Sequence, residues 1–221
     1  MIELHSHSLL SDGALLPTEA LRRAVAEGFE AYAVTDHVDT GSLERIVTEL
    51  MRISRDLRSE MGIQFIPGVE VTHVPPQLIA GVTKHARRLG AQLVLVHGET
   101  IVEPVAPGTN RAALNAGCDI LAHPGLISLE DASMAADKGI YLELSGRRGH
   151  CLANGHIAQM ARNCGAKLII NSDAHEPGET LGLERRRAVG LGAGLSESEV
   201  DEAMGNMRFI AEQCRRNPVV L

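Results

Sequence analysis

The sequence predicts an α/β fold in which a parallel sheet closes into a barrel, and three observations carry that reading. Apolar strand-like runs alternate with helical patterns in units of roughly 30 residues, as repeated β-α-β units do. No linker or shift of composition interrupts them, so a single domain over 1–221 is expected. The runs end, one after another, in His, Asp or Glu. Parallel barrels gather their functional groups at just those C-terminal strand ends.

The first strand, Met1 to Leu4, runs into His5-Ser6-His7, with a turn at Asp12-Gly13 beyond it. Alternate residues of an extended chain face one way, so His5 and His7 can present both imidazoles to one point. Pro17-Thr18-Glu19 opens a helix with Ala20, Leu21, Ala24 and Val25 on one face, and Gly28 ends it. The second strand, Ala31 to Val34, delivers Thr35-Asp36-His37. Ser42 to Met61 reads as a helix from the spacing of Leu43, Ile46, Val47, Leu50, Ile53 and Leu57.

Strand three, Ile63 to Ile66, precedes Gly68-Val69-Glu70, and a helix from Gln77 to Leu89 closes at Gly90. Strand four, Gln92 to Val96, ends at His97-Gly98-Glu99; a loop over Thr100 to Thr109 and a helix from Asn110 to Ala116 follow. Strand five, Asp119 to Ala122, meets His123-Pro124-Gly125, and Ser128-Leu129-Glu130-Asp131 has the spacing of a capping box. Strand six, Ile140 to Leu144, carries Glu143 and leads into Gly146-Arg147-Arg148-Gly149-His150. A helix from Asn154 to Asn163 precedes strand seven, Lys167 to Asn171, which ends in Ser172-Asp173-Ala174-His175. Ser196 to about Arg216 reads as a last helix, with Val200, Met204, Met207 and Ile210 assigned to core packing; it sets no oligomeric state.

Composition narrows the function. The formal charge of −7 opposes nucleic acid as a partner, since that needs a basic surface. The absence of Trp, with two Tyr and three Phe, leaves few rings for stacking single-stranded bases. A small molecule is the expected substrate, with a short oligonucleotide held by its phosphates left open. Cys118, Cys151, Cys164 and Cys214 are far apart and form no Cys-x-x-Cys, which fits reduced thiols. No basic-then-apolar leader and no apolar run of about 18 residues is present, so no membrane span is expected and the cytoplasm is the expected compartment.

Six of the ten histidines, His5, His7, His37, His97, His123 and His175, fall at or beside strand ends, with Glu70 and Asp173. Taken singly, each could simply close a turn with a hydrogen bond. Brought to one mouth without cations, they would face desolvation and mutual repulsion. A polynuclear metal centre removes that conflict. Mixed imidazole and carboxylate donors suit zinc, manganese or iron(II) better than magnesium or calcium.

These residues resemble the polymerase and histidinol phosphatase (PHP) family. The resemblance rests on His5-x-His7, Asp12-Gly13, Thr35-Asp36-His37, Glu70, His97, His123-Pro124-Gly125 and Ser172-Asp173-Ala174-His175, and it spans positions 5 to 175. It implies a distorted seven-stranded TIM-like barrel. It also implies two or three divalent ions: one on His5, His7, Glu70 and Asp173, one on Glu70, His97 and His123, and one on Asp12, His37 and His175. Some members of the family carry His where Asp12 stands.

Such a centre is net positive and suits a phosphate dianion. The implied reaction is phosphoester hydrolysis, with a hydroxide held between metals as nucleophile. Asp36 is either an acid for the leaving group or an acceptor beneath its neighbours; Glu99 and Glu143 are similar cases. Arg147 and Arg148 could clamp phosphate or be solvated, and Arg111 could sit beside the mouth. One of Arg185, Arg186 and Arg187 at least should face solvent. His150 and His156 are read as loop residues. The expected activity is that of a phosphomonoesterase of the histidinol phosphatase type. The rivals are a phosphodiesterase or nuclease, and a non-catalytic scaffold like the barrel subunit of RNase P.

Overall fold

Leu93 and Leu95 point into one apolar cluster while Val94 and Val96 point into another, the period-two burial of a strand covered on both faces. That pattern repeats around a parallel sheet in the computed structural model, which describes residues 1–57 and 61–216. The strands are β1 (Ile2–Glu3), β2 (Ala31–Val34), β3 (His37–Val38), β4 (Gln64–Val71), β5 (Leu93–His97), β6 (Ile120–Ala122), β7 (Tyr141–Ser145) and β8 (Leu168–Asn171). Their order is β1-β2-β4-β5-β6-β7-β8, all parallel, and β3 also lies on β4. Val34 pairs with Pro67 and His37 with Glu70, so β2 and β3 follow β4 in one unbroken register across Thr35-Asp36. The expected seven-stranded barrel is therefore present.

Closure comes from the chain just past β1. Ser6 bridges Ala174, His7 N donates to Ala174 O at 2.9 Å, and Asp173 N donates to His5 O at 3.1 Å. Nearer the base of the barrel the seam is closed by side chains. Glu3 Oε1 accepts from the N–H groups of His5 and Ser172 at 3.2 Å each, and Asn171 Oδ1 accepts from Leu4 N at 3.3 Å.

The helices are α1 (Pro17–Ala26), α2 (Leu43–Asp56), α3 (Pro76–Leu89), α4 (Thr109–Ala116), α5 (Leu129–Lys138), α6 (Asn154–Cys164), α7 (Leu183–Gly192) and α8 (Glu197–Arg216). Residues 58–60, in the expected last turn of α2, lie outside the described residues. Ser128 Oγ accepts from Asp131 N, as its spacing predicted. Helix α7 was not anticipated: it buries only Arg186 and Gly190, so it carries no apolar stripe to read.

Helix α8 plugs the base of the barrel. Met207, Ile210, Ala211 and Cys214 join Leu4, Ile66, Leu95 and Ile120 in the inner cluster, while Val200 packs into the outer shell. That is the core packing expected of it, and a fully buried Val, Met or Ile side chain contributes about 1.5–3 kcal/mol. The four cysteines are unpaired. Among the described residues no helix is long and apolar enough to cross a membrane.

Candidate metal centre

His5 and His7 alternate along the extension of β1 and, with Glu70 of β4 and Asp173 just past β8, enclose one point at the mouth. Nε2 of His5 and Nε2 of His7 are 3.1 Å apart. Glu70 Oε2 lies 3.5 and 3.6 Å from them, and Asp173 Oδ1 lies 3.6 and 3.3 Å from them. A tetrahedron with metal bonds of about 2.1 Å has edges of about 3.4 Å, close to each of these five separations, and His5, His7 and Glu70 form one group able to hold an ion while Asp173 groups with His5 and His123.

A second group adjoins the first. His7, Asp12, His37 and His175 converge, with Asp12 Oδ2 3.5 Å from His37 Nε2 and Asp12 Oδ1 3.3 Å from His175 Nε2. A third brings together His97, His123 and His150, and His123 Nε2 is 3.3 Å from Glu70 Oε1. All nine residues expected from the sequence thus reach one mouth, and their rings are mostly aimed by the far nitrogen. His5 Nδ1 is 2.8 Å from Glu143, His37 Nδ1 is 2.7 Å from Thr72, His97 Nδ1 donates to Gly98 O at 3.1 Å, and His175 Nδ1 lies 3.0 Å from Asp173 O. Each leaves Nε2 for the centre, the usual arrangement behind ligand imidazoles.

The donors fit metal ions on internal grounds. His7 Nδ1, His123 Nδ1 and Glu70 Oε1 are buried with no hydrogen-bond partner. Among the described residues only His73, His123 and Asp173 of the non-glycine residues have positive φ, at 51°, 28° and 55°. Two of these are donors at the centre, where such strain is characteristically held.

Comparison with known proteins places the chain in a family. The family model described as PHP domain matches residues 3–163. The chain belongs to the PHP domain family. Its PHP relatives include an uncharacterized protein of Methanocaldococcus jannaschii, 41% identical over 204 residues that cover 91% of this chain and 94% of the other. A 3',5'-nucleoside bisphosphate phosphatase of Chromobacterium violaceum is 44% identical over 71 residues, 32% of this chain and 22% of that protein. The PHP barrel also matches the crystal structure of histidinol phosphate phosphatase from Lactococcus lactis, complexed with zinc, L-histidinol and phosphate. The TM-score is 0.61 and the identity 16%, with 88% of this chain and 94% of that one covered, a likeness of fold. As a PHP protein the chain is a metal-dependent phosphoesterase.

Without cations, the charges of the PHP centre must be balanced by protons. Burial opposes charge on His5, but Glu143, Asp173 and Glu70 outweigh it and raise its pKa well above the ordinary imidazole value. Burial opposes charge on His37 too, and Glu70 and Asp12 overcome it, raising the pKa to about 10. Burial, with His37 and His5 beside it, pushes His7 well down, and burial with His97 lowers His123 to about 4. Burial raises Asp173 to about 6, whereas Glu70, despite burial, is held well below the usual carboxylate range by His5 and His37.

The rise at His5 and the value of about 10 at His37 favour the protonated rings, and a metal must displace those protons. Adding zinc to metal-free protein in weak buffer should therefore release protons, and affinity should weaken as pH falls below neutrality. A pH-stat titration that records binding with no proton release would contradict these charge states.

The remaining sequence-predicted residues separate clearly. Asp36 is fully buried and lies under the loop that carries Asp12: Oδ1 accepts from Ser8 N at 2.7 Å and Ser11 Oγ at 2.6 Å, and Oδ2 from Ser8 Oγ at 2.7 Å. Its oxygens are spent on that loop and do not reach the mouth. Arg147 does reach it, with Nη1 3.2 Å from Asp173 O and 2.6 Å from His175 Nδ1. Arg148 is exposed.

Arg111 does not come to the centre; it is tied to Glu130 and Asp131 in the first turn of α5. Glu99 caps the head of α4, accepting from Gly108 N and Asn110 N at 3.0 and 2.9 Å. Glu143 is buried behind His5 and also accepts from Asn171 and His123 N. His156 Nε2 donates to Ile127 O, a loop role. His150 is buried, with Nδ1 2.7 Å from the Thr100 hydroxyl of a neighbouring loop and its ring stacked on His123 at 4.1 Å. The residues that sequence reasoning missed are Glu103 and His73, which lie in loops where no periodicity marks direction.

Proposed function

We propose that this PHP protein hydrolyses a small phosphomonoester, in the manner of a histidinol phosphatase, using two or three ions of zinc, manganese or iron(II). The observation that carries the reading is the convergence of His5 and His7 with Glu70 and Asp173 at separations of 3.1–3.6 Å, with further donor groups sharing His7 and Glu70 at its edges. When bound, such ions activate water and neutralise phosphoryl oxygens. Glu143 orients His5, and Thr72 orients His37. Asp36 holds the loop of Asp12 and acts by positioning, not as a proton donor. Arg147 stands beside His175, where its guanidinium can bind a phosphate oxygen as that group enters. The charge of −7 disfavours a long polyanion at the same mouth.

The test is phosphate release from histidinol phosphate, a nucleoside bisphosphate and a phosphodiester, with protein loaded in turn with manganese, zinc and iron(II). Monoester turnover that is lost on chelation is expected. Turnover of the diester alone would move the reading to a nuclease. Silence with ions bound would leave a scaffold.

A further inference from the structure

The loop between β5 and α4 contributes a carboxylate that no sequence pattern announced. Glu103 is partly buried, and its Oε2 lies 3.1 Å from His97 Nε2 and 3.2 Å from His73 Nε2. Its other oxygen, Oε1, lies 3.4 Å from His150 Nε2. The loop is firmly set. Gly125, with φ 60°, lies against it so closely that a Cβ there would meet Glu99 O at 1.9 Å, and the Glu99 carboxylate locks the head of α4.

His97 decides what this contact means. Its Nδ1 hydrogen is committed to Gly98 O, so Nε2 in the neutral ring is a lone pair facing a carboxylate oxygen. His150 Nδ1 is 2.7 Å from the Thr100 hydroxyl, which leaves its Nε2 on the side of Glu103 and His123. Two acceptors in contact need a positive charge between them, a proton in the metal-free protein or an ion that displaces it, and the spacings suit neighbouring ligands on one ion. Behind them His73, held at φ 51°, turns its ring onto Glu103 from outside.

We propose that Glu103 and His150 are ligands of the ion at His97 and His123, with His73 positioning Glu103. This rests on the metal-dependent reading above and adds two donors to the nine. With Glu70, the ion would then have three imidazoles and two carboxylates, a set that suits zinc or iron(II) better than magnesium.

The experiment loads wild type, Glu103→Gln and His150→Gln with cobalt(II), then measures stoichiometry by elemental analysis and affinity by chelator competition. In both variants the dissociation constant of one ion should rise at least about tenfold, since even groups behind the ligands cost that much. The visible cobalt spectrum should change with it, and a hyperfine-shifted ring N–H of wild type should vanish in His150→Gln. The other ions should keep their affinity. Wild-type affinities and spectra in both variants, with metal bound, would overturn this inference alone. A wild type that holds no metal would overturn it together with the reading of the centre. Glu103 is a loop residue, so circular dichroism of Glu103→Gln should match wild type; the N–H count in unaltered protein tests His150 without any substitution.

Discussion

Asp173→Asn should lower kcat/KM for phosphate release by more than the roughly 100-fold that changes behind a metal ligand cost, while the barrel stays folded. Asp173 touches two donor groups: Oδ1 is 3.3 Å from His7 Nε2, and Oδ2 is 3.7 Å from His123 Nε2. Asn is the right replacement because residue 173 sits at φ 55°, a conformation that Asn adopts more readily than Ala. The loss is then one of charge and ligation, not of backbone.

Stability should move the other way. Burial raises the Asp173 carboxyl to about 6, above its unfolded value of about 3.9, so ionisation opposes folding. That cost is absent below about pH 4 and complete above about pH 6. Metal-free Asp173→Asn should therefore melt no lower than metal-free wild type at pH 7.5, whereas zinc should raise the melting temperature of wild type more than that of the variant. His7→Ala should lose activity in the same way. Full turnover by either variant, with ion content reduced, would remove the metal centre from the mechanism.

What could be read in advance was whatever repeats. Strand runs such as Leu93-Val94-Leu95-Val96 are apolar on both faces, so a parallel barrel followed, and with it the meeting of His5, Glu70, His97 and Asp173 at one mouth. The end of β4 was placed too early because Pro67 and Gly68 read as punctuation. Pro67 in fact pairs with Val34, and Gly68 lies where a Cβ would meet Leu93 O at 2.9 Å. Strand β3, two residues long, carries no period at all.

Residues placed by loops were the ones misjudged. Arg111 follows His97 closely in sequence, but α4 turns it toward α5 and the carboxylates there. His150 looked like a rim residue, yet the 3-10 turn over residues 150–153 folds it onto His123. Position along a strand carries direction into a sequence; position in a loop does not.

Glu3→Gln should destabilise the metal-free barrel by about 3–5 kcal/mol, the cost of leaving one member of a buried ion pair alone. Glu3 is fully buried and Arg186 is 4% exposed, with Nη2 2.9 Å from Glu3 Oε2. Arg186 also donates to Ile2 O and Leu181 O, so it fastens α7 to the start of the barrel. Glu3 meanwhile accepts from the N–H groups of Leu4, His5 and Ser172, across the seam where β1 and β8 share no ladder.

Gln keeps an acceptor for those N–H groups but leaves the guanidinium without a charged partner, with the carbonyls of Ile2 and Leu181 and the Met207 sulfur around it. Arg186→Met leaves the carboxylate with three donors and should cost somewhat less. In the double variant neither charge is stranded, so its loss should fall well short of the sum of the two single losses. Urea unfolding of metal-free protein gives all three values, since bound ions would spoil a two-state analysis. Against a total stability of about 5–15 kcal/mol, a loss of about 3–5 kcal/mol should move the urea midpoint of the Glu3 variant well below that of wild type. Additive losses would mean that the pair is incidental and that backbone bridging at Ser6 and Ala174 closes the barrel by itself.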